Sequence, residues 1–168
     1  MEKEELLLIH GTEYKEMTKE ILYAAGLEAQ IGARDKKIGI KPNLVAPSEA
    51  FLGATTHPEI VAGIIEYLQE AGFQNISIDL IYGLPGETKG RWENDLRQAI
   101  RLDVEHISAY HLTYEEDTPI YNMLKQHQIE EVDEDSSLEF FTLLIEYLQK
   151  AGYEHYEISN FCRPGYYS

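Results

Sequence analysis

The stretch Ile76–Tyr82 alternates in a way that puts chemistry on one side of a strand. With a side-chain period of two, Ser77 and Asp79 share one face, and Ile76, Ile78 and Leu80 share the other. A carboxylate in the middle of a strand is expensive to bury without a partner. Asp79 is therefore the leading candidate site residue. It would either accept hydrogen bonds from a ligand or be tied to neighbouring backbone or a Lys or Arg. The loop that follows, Gly83-Leu84-Pro85-Gly86, has residues chosen for turn geometry. It lacks the Gly-Lys-Ser/Thr ending of a P-loop, and the chain has no G-x-G-x-x-G, so phosphate cradling is not expected. The histidines are His10, His57, His106, His111, His127 and His155, and no pair has the i, i+4 spacing of a helical zinc site. His111 and His155 fall in predicted strands as core or cleft residues. Lys41 and Asn43 follow a predicted strand and could meet an anion, but read equally as solvated loop polars. The acidic runs 115–117 and 130–135 lack the glycine-turn pattern of a calcium loop. The second suits the positive end of the helix that follows it. No metal site is expected.

Cys162 is the only cysteine in 168 residues. One thiol cannot form an internal disulfide, and structural zinc or iron–sulfur sites take several such ligands. The formal net charge is −16, which argues against phosphate-backbone partners, so nucleic acid is not expected. No apolar run approaches the ~20 residues that span a bilayer. The acidic start and the short run Leu6–Ile9 do not read as an export signal. With a single thiol, this predicts a cytoplasmic protein with no membrane contact.

Strand and helix signals alternate along the chain. Strands are predicted at Leu6–Ile9, Lys37–Val45, Phe73–Tyr82, His106–Tyr114 and Tyr153–Ser159. Helices are predicted over 13–25, from Pro58 to about Gly72, from Thr88 to Leu102, Pro119–His127 and Ser137–Ala151. The stretch Ala46–Thr56 reads as a loop. Thr56-His57-Pro58-Glu59 is a helix start, with Thr or His at the cap and Pro at the first helical position. Leu138, Phe141, Ile145 and Leu148 are expected inward on the last helix. This order predicts an α/β fold, a parallel β-sheet with crossover helices, as either an open sheet or a partial (β/α) barrel. In both, ligands meet the carboxyl ends of the strands. A partial barrel would leave sheet edges exposed, inviting self-association.

One segment echoes another. Ile64-Ile65-Glu66-Tyr67-Leu68-Gln69-Glu70-Ala71-Gly72-Phe73 resembles Leu144-Ile145-Glu146-Tyr147-Leu148-Gln149-Lys150-Ala151-Gly152-Tyr153. Nothing else repeats at that period, so the echo reads as two helix–Gly–strand junctions rather than a duplication.

Three blocks carry a family likeness: Ser77-Ile78-Asp79-Leu80-Ile81-Tyr82-Gly83-Leu84-Pro85-Gly86-Glu87-Thr88, then His106-Ile107-Ser108-Ala109-Tyr110-His111-Leu112-Thr113-Tyr114-Glu115-Glu116, then Ala151-Gly152-Tyr153-Glu154-His155-Tyr156-Glu157-Ile158-Ser159-Asn160-Phe161. Residues 76–168 resemble the radical SAM proteins of the oxygen-independent coproporphyrinogen III oxidase-like family, nearest to its heme chaperone (HemW) branch. Ile40-Lys41-Pro42-Asn43-Leu44-Val45 and Gly53-Ala54-Thr55-Thr56-His57-Pro58-Glu59-Ile60-Val61 are similar to the family called domain of unknown function 362. The expected organisation is an α/β segment of unknown function at 1–75 and the C-terminal part of a radical SAM-type barrel at 76–168. That describes a chimera or truncated fusion joined within Ala71–Ile78.

The first resemblance implies a place in heme metabolism, a [4Fe–4S] cluster and S-adenosylmethionine (SAM) as family cofactors, and heme or porphyrin as the intact family's partner. It also implies a SAM pocket in which Asp79 and the backbone at Thr113 take part. The family's cluster sits on a C-x-x-x-C-x-x-C run, which this sequence lacks. The expectation is a chain with no catalytic residue of its own, tight binding of no cofactor, and no SAM cleavage. The competing expectation is a non-catalytic α/β domain, or a protein that works beside an iron–sulfur partner.

Overall fold

A computed structural model describes residues 6–32, 39–40, 42 and 56–167. The chain divides into two compact units, Met1–Gln74 and Asn75–Ser168. Most of the predicted strand at 37–45, with Lys41 and Asn43, and most of the loop after it lie outside the described residues.

In the first unit, α1 (Tyr14–Ala24), α2 (Leu27–Ile31) and α3 (Pro58–Glu70) are the regular elements among the described residues. The helix start read from sequence is realised: His57 is the N-cap, its Nδ1 accepts from the Glu59 amide at 3.3 Å, and Pro58 opens the helix. Helices α1 and α3 meet closely at Gly63. A Cβ there would lie 2.7 Å from the Lys15 carbonyl oxygen, so the contact requires a residue without one. The run Leu6–Ile9 is not a strand. It has no ladder partner among the described residues, and Leu6 and Leu8 are exposed. An apolar run becomes a strand only where another strand takes up its backbone groups.

The second unit is an open four-stranded sheet in the order β1 (Ser77–Tyr82), β2 (His106–His111), β4 (Asn160–Cys162), β3 (Glu154–Glu157). Strands β1 and β2 are parallel, joined through α4 (Lys89–Arg101), with Asp79 opposite Ser108. This is the mixed α/β architecture expected from the sequence. The far side departs from it. The single strand predicted at Tyr153–Ser159 is a hairpin whose turn falls at Ile158–Ser159, and β4 runs antiparallel to both neighbours. The short helix α5 (Pro119–Lys125) precedes α6 (Glu134–Lys150).

One face of the sheet is packed and the other is open. Ile107 and Phe161 are fully buried on the packed face. Trp92 and Leu96 of α4 and Phe140, Leu144 and Leu148 of α6 complete this core. The Trp92 indole stacks on Tyr82 at 5.1 Å and donates from Nε1 to the Phe140 carbonyl at 2.9 Å. The buried line of α6 thus runs through 140, 144 and 148, and Leu138, expected inward, is exposed.

Candidate functional site

The open face gathers the polar residues of three strands. Because paired residues point the same way, Ser77 and Asp79 of β1, His106 and Ser108 of β2, and Asn160 and Cys162 of β4 share it. Asp79 is exposed, and no described residue reaches its carboxylate with a hydrogen bond. Its charge is felt by His106. Thr113 is exposed and lies two residues beyond the end of β2, whereas Asp79 is mid-strand. Asp79's partner Ser108 stands five residues before Thr113, so at the ~3.3 Å rise of a strand the two lie at different levels along the strand direction.

A hydrogen-bonded chain crosses the sheet beside Asp79. Ser77 Oγ and His106 Nδ1 are 2.9 Å apart, and His106 Nε2 and Tyr156 Oη are 2.8 Å apart. Both ring nitrogens are therefore engaged, one as donor and one as acceptor, in the neutral imidazole. Burial holds the His106 imidazole below its ordinary pKa, against the opposing pull of the Asp79 charge. The Tyr167 hydroxyl donates to Glu154, and its ring meets Tyr156 edge-on at 5.2 Å. A cleft of about 270 Å³ lies over His106 and Ser108, with tail residues Tyr166 and Tyr167 in its wall. The sequence placed Ser77 beside Asp79 but gave no part to His106. Reading the alternation His106, Ser108, Tyr110 against Ser77, Asp79 would have found it.

The loop after β1 is built for shape. Gly83 and Gly86 take φ of 76° and 72°, and the Glu87 carboxylate accepts from the Gly83 and Leu84 amides at 2.6 and 3.1 Å. A Cβ on Gly83 would lie 2.5 Å from His111 Nε2. His111 itself is structural: Nδ1 donates to the Leu112 carbonyl at 2.9 Å, and Nε2 accepts from Ser137 at 3.1 Å. His155 stacks on Phe161 at 4.3 Å. The Asp133 side chain of the second acidic run caps α6 by accepting from the Ser136 amide at 2.9 Å.

The donor set does not suit an iron–sulfur cluster. Cys162 is buried, burial pushes its thiol pKa up, and no group of metal-binding side chains forms among the described residues. SAM is a different case. An exposed carboxylate on an open strand face has the acceptor chemistry that ribose hydroxyls require.

Comparison with known proteins joins these features to two families. Heme chaperone HemW of Lactococcus lactis is 38% identical over 114 residues, covering 67% of this chain and 30% of the relative. Heme chaperone HemW of Bacillus subtilis is 36% identical over 100 residues, 60% of this chain and 26% of the relative. Over part of its length the chain resembles the radical SAM family of heme chaperone HemW. A mitochondrial radical S-adenosyl methionine domain-containing protein 1 of Bos taurus is 32% identical over 90 residues, 54% of this chain and 20% of the relative. The solved structure of coproporphyrinogen III oxidase (HemN) from Escherichia coli, a radical SAM enzyme, superposes with a TM-score of 0.57 at 23% identity. It covers 67% of this chain and 26% of that one, and the likeness is one of fold. The chain spans less than a third of the length of these relatives. Residues 38–79 match the family described as Domain of unknown function (DUF362). The Lactococcus match is longer than the unit Asn75–Ser168, and the second family's match ends inside β1, so the two likenesses overlap around α3 and β1. No helix among the described residues is long and apolar enough to cross a membrane.

Proposed function

We propose that this chain carries the later strands of a radical SAM-type barrel, with Asp79 as a SAM-binding carboxylate, and that the chain by itself does not cleave SAM. The observation that carries the reading is Asp79 in the middle of β1, exposed and without an internal hydrogen-bond partner among the described residues. A carboxylate in that position is held ready for an external donor. Thr113 contributes backbone beyond the end of β2. The cluster half of the reading rests on the single buried thiol. In the relatives named as heme chaperones the cargo is heme, and this chain's link to heme or porphyrin is one of descent. Under this reading residues 1–75 are a separate α/β segment joined to a partial barrel.

SAM titration by calorimetry tests the binding half: saturable heat is expected from the wild-type chain, and its loss from Asp79→Asn. A cooperative melt unaffected by SAM in the wild-type chain would instead establish a non-catalytic domain. Anaerobic reconstitution with iron and sulfide, then reduction and an assay for 5′-deoxyadenosine, tests the other half. Product above background overturns it.

A further inference from the structure

We propose that the cleft over the amino-terminal half of β1 and β2 is a binding site for a small, uncharged, flat heterocycle of the nucleobase class, separate from the Asp79 position. Three observations converge on it. First, the cleft has unspent hydrogen-bonding capacity. Ser108 is 5% exposed, lines the cleft, and its hydroxyl meets no partner among the described residues. That hydroxyl is open to the cleft and can pair with a ligand as donor or acceptor. Asn160, a lining residue, donates its amide nitrogen to Glu157 at 2.7 Å, which leaves its carbonyl oxygen as an acceptor. Asn75 brings both an amide donor and an acceptor. An edge that alternates donors and acceptors is what such a set reads.

Second, the walls are aromatic. Tyr110, Tyr166 and Tyr167 line the cleft, and tyrosine faces are sequence-tolerant platforms for flat heterocycles. Third, the lining carries no Asp, Glu, Lys or Arg, and the histidine beneath it is locked by Ser77 and Tyr156. Nothing there would neutralise a phosphate, and the chain's net charge of −16 repels one. The volume of about 270 Å³ sits just below the ~300 Å³ lower bound of common ligand sites, which suits a base rather than a nucleotide. Asp79 does not line the cleft.

The test uses the full chain with adenine as probe, read by calorimetry and by amide chemical-shift changes. Saturable binding is expected, with shifts at Ser108 and Asn160. Ser108→Val weakens it about fivefold by removing one hydrogen bond, and Tyr110→Ala about tenfold by removing a stacking face. Asp79→Asn leaves it unchanged, and inorganic phosphate does not compete. Tyr110 is 45% exposed, so its variant retains the fold if Ser108→Val does not, and melting curves establish which variant is read. Absence of saturation at millimolar adenine overturns the proposal. So does unchanged affinity in the folded variants, or loss of adenine binding in Asp79→Asn. Adenine binding without SAM binding would overturn the function proposed above and leave this site standing.

Discussion

Ile64–Phe73 and Leu144–Tyr153 differ at three of ten positions, yet they stand in different units of the chain. Their ends are built alike. Gly72 and Gly152 both take φ of 87°. The Phe73 amide donates to the Leu68 carbonyl and the Tyr153 amide to the Leu148 carbonyl, each at 3.0 Å. The Gly72 and Gly152 amides close the inner bonds to Gln69 and Gln149 at 2.9 and 3.0 Å. These are paired Schellman caps, and the residues that make them are the ones the two segments share. What the segments touch is different. Tyr67 is buried and accepts from the Glu28 amide at 2.9 Å, whereas Tyr147 is half-buried and accepts from Arg97 at 2.7 Å. Glu66 pairs with Lys15 and Lys19 of another helix, whereas Glu146 pairs with Lys150 one turn along its own. Ten residues suffice to end a helix; what the helix packs against is decided elsewhere in the chain.

The largest test of that contrast is in the core. Leu68→Ala and Leu148→Ala should each cost ~2–5 kcal/mol, with the greater loss at Leu148, which is fully buried. Urea unfolding gives the totals, and hydrogen exchange shows which unit loosens. Equal losses throughout the chain would contradict the division into units. The caps come next. Gly72→Ala and Gly152→Ala should each cost about 1–2 kcal/mol, because an L-residue at positive φ is strained. At Gly152 the added Cβ would also sit 3.0 Å from Arg163 Nη1. Widely unequal costs would show that the caps are not local.

The tyrosines should separate more finely. Tyr67→Phe removes the acceptor of a backbone amide and should cost ~1 kcal/mol, whereas Tyr147→Phe should be close to neutral by the same thermal melt. The smallest effect concerns acid. Hydrogen bonding and charge from Lys15 hold Glu66 below the ordinary carboxylate range, and Lys19 does the same for Glu70. A depressed folded pKa means that the stabilisation is present above the unfolded value of 4.5 and is lost as pH falls through the folded one. The α1–α3 pair should therefore loosen as pH drops below that value, which hydrogen exchange across α1 and α3 would show. Both carboxylates are solvent-screened, so the shift in amide protection should be small.

The parts of the fold that were legible in the sequence are those set by local rules. The caps of α3 and α6, the alternation in β1, and the β1–α4–β2 order follow from residues within a few positions of each other. The hairpin of β3 and β4 was missed because Tyr153, Tyr156 and Ile158 let Tyr153–Ser159 read as one strand; the turn at Ile158–Ser159 ends β3 there and sends β4 back between β3 and β2. Leu6–Ile9 failed in the opposite sense, having the composition of a strand without a neighbour. At the site, Asp79 was legible because a charge interrupts its own strand. His106 and Ser108 were not, since their meaning depends on the parallel register that sets them opposite Ser77 and Asp79.

The lone thiol has a practical meaning of its own. Cys162 lies in β4, with β2 on one side and β3 on the other, and has no exposed surface. A thiol reagent in solution can reach it only in the moments when that part of the sheet has parted. Its labelling rate is therefore a clock for sheet opening, carried by the unaltered chain with no second cysteine to confuse the count. Any molecule that settles on the polar face and holds β2 to β4 should slow that clock, whether or not it is ever chemically changed.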